Sequence, residues 1–506
     1  MSNQAPSPLP DQDNTFGVRV RSALAWRYGG QVAAQITTWG STILVVRLLD
    51  PTDYGLFAMS QVVITALMFM DGWGFAQGLV QKKEVSRRDI GQAFALLLLL
   101  NTALAALQFL LAPLAAAYYQ EPLVADMLRV QALLFITTPF IALPSALLSR
   151  ELSFRPQAIA NMIASVVGAA TALLMAWTGY GVWALVIAPL AAFAVRAAGL
   201  VVAVKSLPRP VFNLTGARTI LAYGGAMTTV QLLWIVQSQS DILIAGRVLP
   251  TYDLGLYAEA LFLTLIVTAR FLPPLNEVAF PAYSELHQRA RPLAPYFLRA
   301  SGAVALITFP MFIGLALTAT EAVGTLFGEK WLPMAPIVAG LSLVMPARAM
   351  EIICAPATNA IGQPRIAVYT GAVGAMVFVA SFLVGVRFGT DGLIAAWWIA
   401  APLLLAYTLG MTLPRIGVGF IDWIRAVAPA GLACGTMTLA VLALDPLMTG
   451  RPMWGSLLAK AGAGAGVYLT TVMLVAPDMA RRSLDLIRRR QPFASEPPGR
   501  MDTTQD

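Results

Sequence analysis

Long apolar runs separated by short polar turns set the pattern of this chain along nearly its whole length. A helix needs about 20 apolar residues to cross a bilayer. On that criterion fourteen runs qualify: 24–48, 55–80, 91–117, 124–148, 157–178, 181–204, 218–247, 255–274, 296–318, 334–360, 366–387, 391–413, 423–444 and 453–476. They predict an all-α integral membrane protein of about 14 transmembrane helices. Pro139 and Pro144 fall in the fourth run, Pro346 and Pro356 in the tenth. Kinks are expected there, because proline removes a backbone donor and crowds the preceding turn. The connecting loops are short, the longest being 275–295, so none can form a separate catalytic domain. Residues 1–16 are rich in Pro, Asp and Gln and predict disorder. Arg19 and Arg21 then lead into a full-length run, which is not the pattern of a signal peptide.

The polar turns repeat. Arg47-Leu-Leu-Asp-Pro-Thr-Asp-Tyr-Gly-Leu-Phe-Ala58 returns 200 residues later as Arg247-Val-Leu-Pro-Thr-Tyr-Asp-Leu-Gly-Leu-Tyr-Ala258. Tyr28-Gly-Gly30 is matched by Tyr223-Gly-Gly225. Gly179-Tyr-Gly181 with Ala188-Pro189 is matched by Gly389-Thr-Asp-Gly392 with Ala401-Pro402. Such a spacing predicts two similar six-helix halves followed by two more helices. The boundaries are 17–204 for the first lobe, 205–414 for the second, 415–477 for the added pair and 478–506 for a basic, polar tail. Within each turn Pro and Gly interrupt the helix and Asp53 or Asp253 is expected to cap the next one. On that basis capping should matter more than the freedom of Gly55 and Gly255.

Composition agrees with a membrane protein. Hydrophobic residues are 58% and charged residues 12%, against about 25% charged in a soluble domain. Mean hydropathy is +0.70. The net charge of +8 matters through its placement. Alternate loops divide the basic residues 23 to 5, so the richer side, which carries both termini, is expected to be cytoplasmic. Both copies of the repeated turn then lie outside, making the repeat parallel with its two-fold along the membrane normal. The single histidine, His287, leaves no histidine-rich metal site, and no phosphate-binding Gly-Lys-Ser/Thr loop occurs. No metal, cofactor, enzymatic activity or nucleic-acid partner is expected. Cys354 and Cys434 lie in apolar runs and read as core residues.

Charges at membrane depth are costly and point to function. They are Arg27, Asp71, Arg196, Asp241, Glu259, Arg270, Arg348, Glu351 and Lys460, with Arg129 at a helix edge. Arg348 and Glu351 are spaced to pair on one helix face. Lys460 reads as a snorkelling side chain, beside a Gly462-Ala-Gly464-Ala-Gly466 stripe suited to close packing. Counted from Gly55 and Gly255, Asp71 and Arg270 lie at similar depth, about 22–24 Å from the turns. Arg27 lies just inside the same face. Gln31, Gln35 and Thr38 share one face of the first helix, as the lining of a wet cavity would.

Tyr28-Gly-Gly30, Arg47-Leu-Leu-x-Pro-x-Asp-Tyr-Gly-Leu56, Leu148-Ser-Arg-Glu-Leu-Ser-Phe154 and Asp241-x-Leu-Ile-x-Gly-Arg247 with Gly255-Leu-Tyr257 carry a resemblance over nearly the whole chain. The chain resembles the polysaccharide transporter branch of the multidrug/oligosaccharidyl-lipid/polysaccharide exporter superfamily. The resemblance implies two six-helix lobes in a V, with helices 1, 2, 7 and 8 lining a central cleft. It implies flipping of an undecaprenyl-diphosphate-linked oligosaccharide from the cytoplasmic to the periplasmic leaflet of the bacterial inner membrane, for O-antigen, capsule or exopolysaccharide assembly. Arg27, Arg270, Asp71, Asp241, Gln31 and Gln35 are the expected substrate-binding set. Membrane lipids and a polysaccharide polymerase or assembly complex are the candidate partners. The rival readings are a cation-coupled drug antiporter of the same superfamily, disfavoured by arginines where carboxylates would serve, and a polysaccharide polymerase or ligase, disfavoured by short external loops.

Overall fold

The computed structural model describes residues 29, 31–32, 34–71, 85–151, 153–205, 207–212 and 218–477, with backbone alone at 218–232. The described chain is helical and contains no strand. The first half comprises α1 (34–48), α2 (Pro51–Met68), α3 (Arg87–Tyr119), α4 (Pro122–Gln131), α5 (Leu133–Arg150), α6 (Phe154–Trp177) and α7 (Trp183–Val204). The second comprises α8 (Arg218–Val248), α9 (Thr251–Gln288), α10 (Ala294–Leu317), α11 (Ala319–Leu326), α12 (Ala335–Ile352), α13 (Cys354–Ala360), α14 (Arg365–Gly385) and α15 (Gly389–Thr412). Two further helices, α16 (Phe420–Met448) and α17 (Met453–Val475), complete the described chain.

Ten helical stretches among the described residues are long and apolar enough to cross a membrane. The protein is therefore a multi-pass membrane protein. One of the ten, 365–416, holds α14 and α15 joined by a single 3-10 turn at Val386–Phe388. The helices α1, α2 and α8 carry Gln35, Thr38, Gln61 and the run Gln237-Ser-Gln-Ser240, polar residues that are costly against lipid.

Proline accounts for one break and fails to cause another. The tenth predicted run divides after Ile352, the residue whose carbonyl the ring of Pro356 would meet. In α9, Pro273, Pro274 and Pro281 leave the helix intact through Gln288. The predicted loop at 275–295 is thus helical over its first half, and α9 reaches about 57 Å at 1.5 Å per residue. Its counterpart α2 closes at Met68 in a turn through Asp71. Asp71 and Arg270, matched in depth by counting, therefore sit on different local structures.

At the repeated turns α2 and α9 cross in close contact. A Cβ added to Gly55 would collide with the Thr251 carbonyl, and one added to Gly255 with the Pro51 carbonyl. Each glycine is needed so that the backbone of one half can approach the other. The capping devices differ between the copies. Asp53 accepts the Asp50 backbone N–H at 3.1 Å. Asp253 occupies the same helical position, but its N-cap is Pro250, which has no N–H to give.

The two added helices pack on α10 and α11. The Tyr468 hydroxyl donates to the Leu306 carbonyl at 2.8 Å. Lys460 is buried and pairs with Glu321 of α11 and Asp445 of α16, so it does not snorkel. In the glycine stripe Gly464 alone meets a neighbouring helix, at Val441 and Met437; Gly462 and Gly466 face open space. Both cysteines are free and buried.

Candidate central cavity between the halves

The ends of the helices at the repeated turns are clasped by polar contacts that run from each half into the other. Arg47 sends Nε to the Leu326 carbonyl at 2.9 Å and a terminal nitrogen to the Thr325 carbonyl. It thereby satisfies the last carbonyls of α11, where a cation is favoured by the helix dipole. Its repeat partner Arg247 lies over the Tyr118 ring, 5.9 Å from its centre, at the end of α3. Fully buried Trp331 donates Nε1 to the Val46 carbonyl at 2.9 Å and meets Tyr54 edge-on at 5.4 Å. The Thr251 hydroxyl donates to Glu121 at 2.9 Å, and Lys330 pairs with Asp50 at 3.3 Å.

Below this clasp lies a cavity of about 530 Å³, within the usual range for a ligand site. It is walled by α1, α2, α6 and α7 of the first half and by α8 and α9 of the second. Most of its wall is apolar. Its polar groups are Thr38, Ser41 and Thr42 of α1, Tyr54 and Gln61 of α2, Gln239 of α8 and Glu259 of α9, with two further serines. Glu259 is 5% exposed, and its Oε1 has no hydrogen-bond partner among the described residues.

Two side-chain contacts join the halves beyond the cavity wall. With its amide oxygen turned toward them, Gln35 accepts from Trp39 Nε1 at 2.5 Å and from the Arg270 guanidinium at 3.2 Å. Phe69 meets Trp234 edge-on at 5.0 Å. Both contacts join the halves through side chains alone, whereas the clasp at the turns brings backbone against backbone.

Of the expected site residues, Gln35 and Arg270 are thus brought together across the halves. Gln31 is exposed one turn earlier along the first helix. Asp71 lies in the turn after α2, and its carbonyl accepts from Asn101 at 2.8 Å. Asp241 is 1% exposed and stands apart from the cavity wall. It accepts from the Ile242 backbone N–H at 2.8 Å and the Tyr257 hydroxyl at 3.0 Å, and Trp397 Nε1 donates to that hydroxyl at 2.8 Å. Arg27 lies outside the described residues. No group of three His, Cys, Asp or Glu side chains suited to a metal occurs among the described residues.

A model of a polysaccharide biosynthesis protein family matches residues 44–336, more than half of the chain. The chain belongs to that family. It is similar to the succinoglycan biosynthesis transport protein ExoT of Rhizobium meliloti, with 24% identity covering 92% of this chain and 96% of that protein. It is also similar to the lipopolysaccharide biosynthesis protein WzxC of Escherichia coli, at 23% identity over 60% of this chain and 62% of the relative. Among solved structures it has the fold of the lipid II flippase MurJ in an inward closed conformation. That likeness has a TM-score of 0.72 and 13% identity, covering 89% of this chain and 98% of that one. An inward-facing multidrug resistance MATE family transporter of the MOP superfamily gives a TM-score of 0.63, with 13% identity over 76% of this chain and 94% of the other.

The sequence had marked Glu259 as a charge at membrane depth without assigning it to the site. Gln61 and Gln239 carried no such mark. Their signal was present, since an amide in an apolar helix needs a partner or a wet surface, but it does not say which face of the helix meets a cavity.

Proposed function

We propose that this family member is a flippase for lipid-linked glycan repeat units. It moves an undecaprenyl-diphosphate-linked oligosaccharide from the cytoplasmic to the periplasmic leaflet of the bacterial inner membrane during surface polysaccharide assembly. In this reading fourteen helices form two pseudo-symmetric six-helix lobes and an added pair, with both termini cytoplasmic. The repeated turns then face outward. A polymerase receiving the flipped unit is the natural partner.

The observation that supports the reading is the cavity between the two halves, with Arg270 of the second half beside Gln35 of the first. A guanidinium at that level suits a diphosphate, which it can pair bidentately while the lipid tail stays in the bilayer. The contacts described on this side are one neutral-to-cation pairing and one ring contact. Opening the turn end means separating packed backbones, an ion pair and the contacts of Arg47 and Arg247. The geometry accordingly favours a state ready to open inward, with Arg270, Gln35 and Gln31 meeting the head group together with Arg27. Asp71 would act from the rim, and Asp241 from inside the second lobe through Tyr257 and Trp397. Closure over the head group followed by outward opening releases it, because the two states make different contacts with the same ligand. Moving about two negative charges outward across 100 mV adds roughly 4–5 kcal/mol of driving force.

Complementation of a strain lacking its own flippase tests this. Arg270→Ala and Arg27→Ala should each abolish surface glycan while immunoblotted protein stays near normal. Arg→Lys should rescue poorly, since an ammonium lacks the planar fork. Full export from the double alanine variant would refute the assignment.

A further inference from the structure

Arg196 of α7 is a charge at membrane depth that the flippase reading has not used. Its Nε is buried without a hydrogen-bond partner, although the residue as a whole is only partly buried. No ion pair involves it among the described residues, whereas Arg348 pairs with Glu351 and Lys460 with Glu321 and Asp445. A guanidinium keeps its charge at any depth, so a desolvated one without an anion is costly. Arg196 does not turn outward either. Ala194 and Ala198, which are exposed, lie on the opposite face of α7.

Its place in the fold indicates what could meet it. Leu185, Pro189 and Ala192 of α7 line the cavity. Arg196 follows Ala192 by four residues and Leu185 by eleven, which puts it on their face of the helix, one turn past the cavity wall. Gly181, just before α7, lies against the Asp53 carboxylate at the repeated turn. Counted from the turn end at 1.5 Å per residue, Arg196 is about 20 Å along α7 and Gln35 about 20 Å along α1. Gln35 is the residue on which Arg270 of the second half converges. Helices of opposite halves thus bring two arginines to about one level beyond the cavity, and a diphosphate has two phosphoryl groups to offer them. Resting on the flippase reading, we propose that Arg196 is a second substrate-binding arginine, taking one phosphoryl group of the lipid-linked diphosphate from the first half while Arg270 takes the other from the second. The pair then distinguishes a diphosphate carrier from a monophosphate one, which satisfies one arginine and leaves the other bare.

The test uses the full-length protein in proteoliposomes of phosphatidylcholine, with and without phosphatidylglycerol. One trisaccharide is supplied on polyprenyl diphosphate or on polyprenyl monophosphate. Wild type should transfer the diphosphate form at least about tenfold faster, the scale of one charge-assisted hydrogen bond. Arg196→Gln should slow the diphosphate form about tenfold or more and the monophosphate form less, so that the ratio falls toward unity in both kinds of vesicle. Arg196→Lys keeps the charge without the planar fork. It should also lose most of the preference, which keeps the test decisive should the glutamine variant fail to fold. Equal wild-type transfer of the two carriers, or an unchanged ratio in the variants, would overturn the inference and leave the flippase reading standing. A loss seen only with phosphatidylglycerol would overturn it in favour of an anionic membrane lipid at Arg196. Transfer of neither carrier by wild type would remove both readings.

Discussion

Gly55 and Gly255 show how a residue's role depends on what faces it. The sequence suggested that the turns rely on Asp capping. In the structure Asp253 has no N–H to accept, while each glycine lies against a backbone carbonyl of the other half. Backbone cannot move aside as a side chain can, so Gly255→Ala should cost about 1–3 kcal/mol of overpacking. Asp53→Ala should cost about 1 kcal/mol at most, as loss of an N-cap partner. Thermal melting of the purified variants should rank them in that order; an unshifted melt for Gly255→Ala would show that the crossing is not tight. Legibility at this scale follows distance along the chain. Arg348 and Glu351 pair at 3.0 Å, as their spacing foretold. The partners of Lys460 lie 139 residues away at Glu321 and on a different helix at Asp445, and no local pattern announces them.

At the scale of elements, the apolar runs read well because bilayer thickness imposes a length on them. Every predicted run has described helix within it. Ends read less well, since proline breaks a helix only where the freed carbonyl finds no better arrangement. Hence α9 continues past Pro273 and Pro274 while the chain divides before Pro356. The clasp was also only half legible. Its arginines stood out in the repeated turn, but their acceptors are the carbonyls of α11 and the ring of Tyr118. If this clasp holds the outer side shut, Arg47→Ala removes hydrogen bonds from a charged donor, worth about 1.5–3 kcal/mol. A cysteine placed at Ser41 in the cavity should then react with an external, membrane-impermeant thiol reagent about tenfold faster or more. An unchanged rate would mean that Arg47 has no part in the closure.

For the whole molecule, the close crossing of α2 and α9 at the repeated turns places the cavity between helices of the first and second halves. The repeat at a spacing of 200 residues was visible in the sequence, but the contact between its two copies was not. What could not be read was that Arg270 lies outside the cavity wall, because this depends on which face of each helix turns inward. Alternating access at this site is tested most directly by leaflet transfer. Polyprenyl-diphosphate glycan is loaded in one leaflet of proteoliposomes, and its arrival in the other is read by an impermeant glycan-modifying reagent. Wild-type protein should transfer the lipid-linked glycan, Arg270→Ala should not, and Arg270→Lys should do so poorly. No transfer by wild type, or equal rates for wild type and Arg270→Ala, would contradict it.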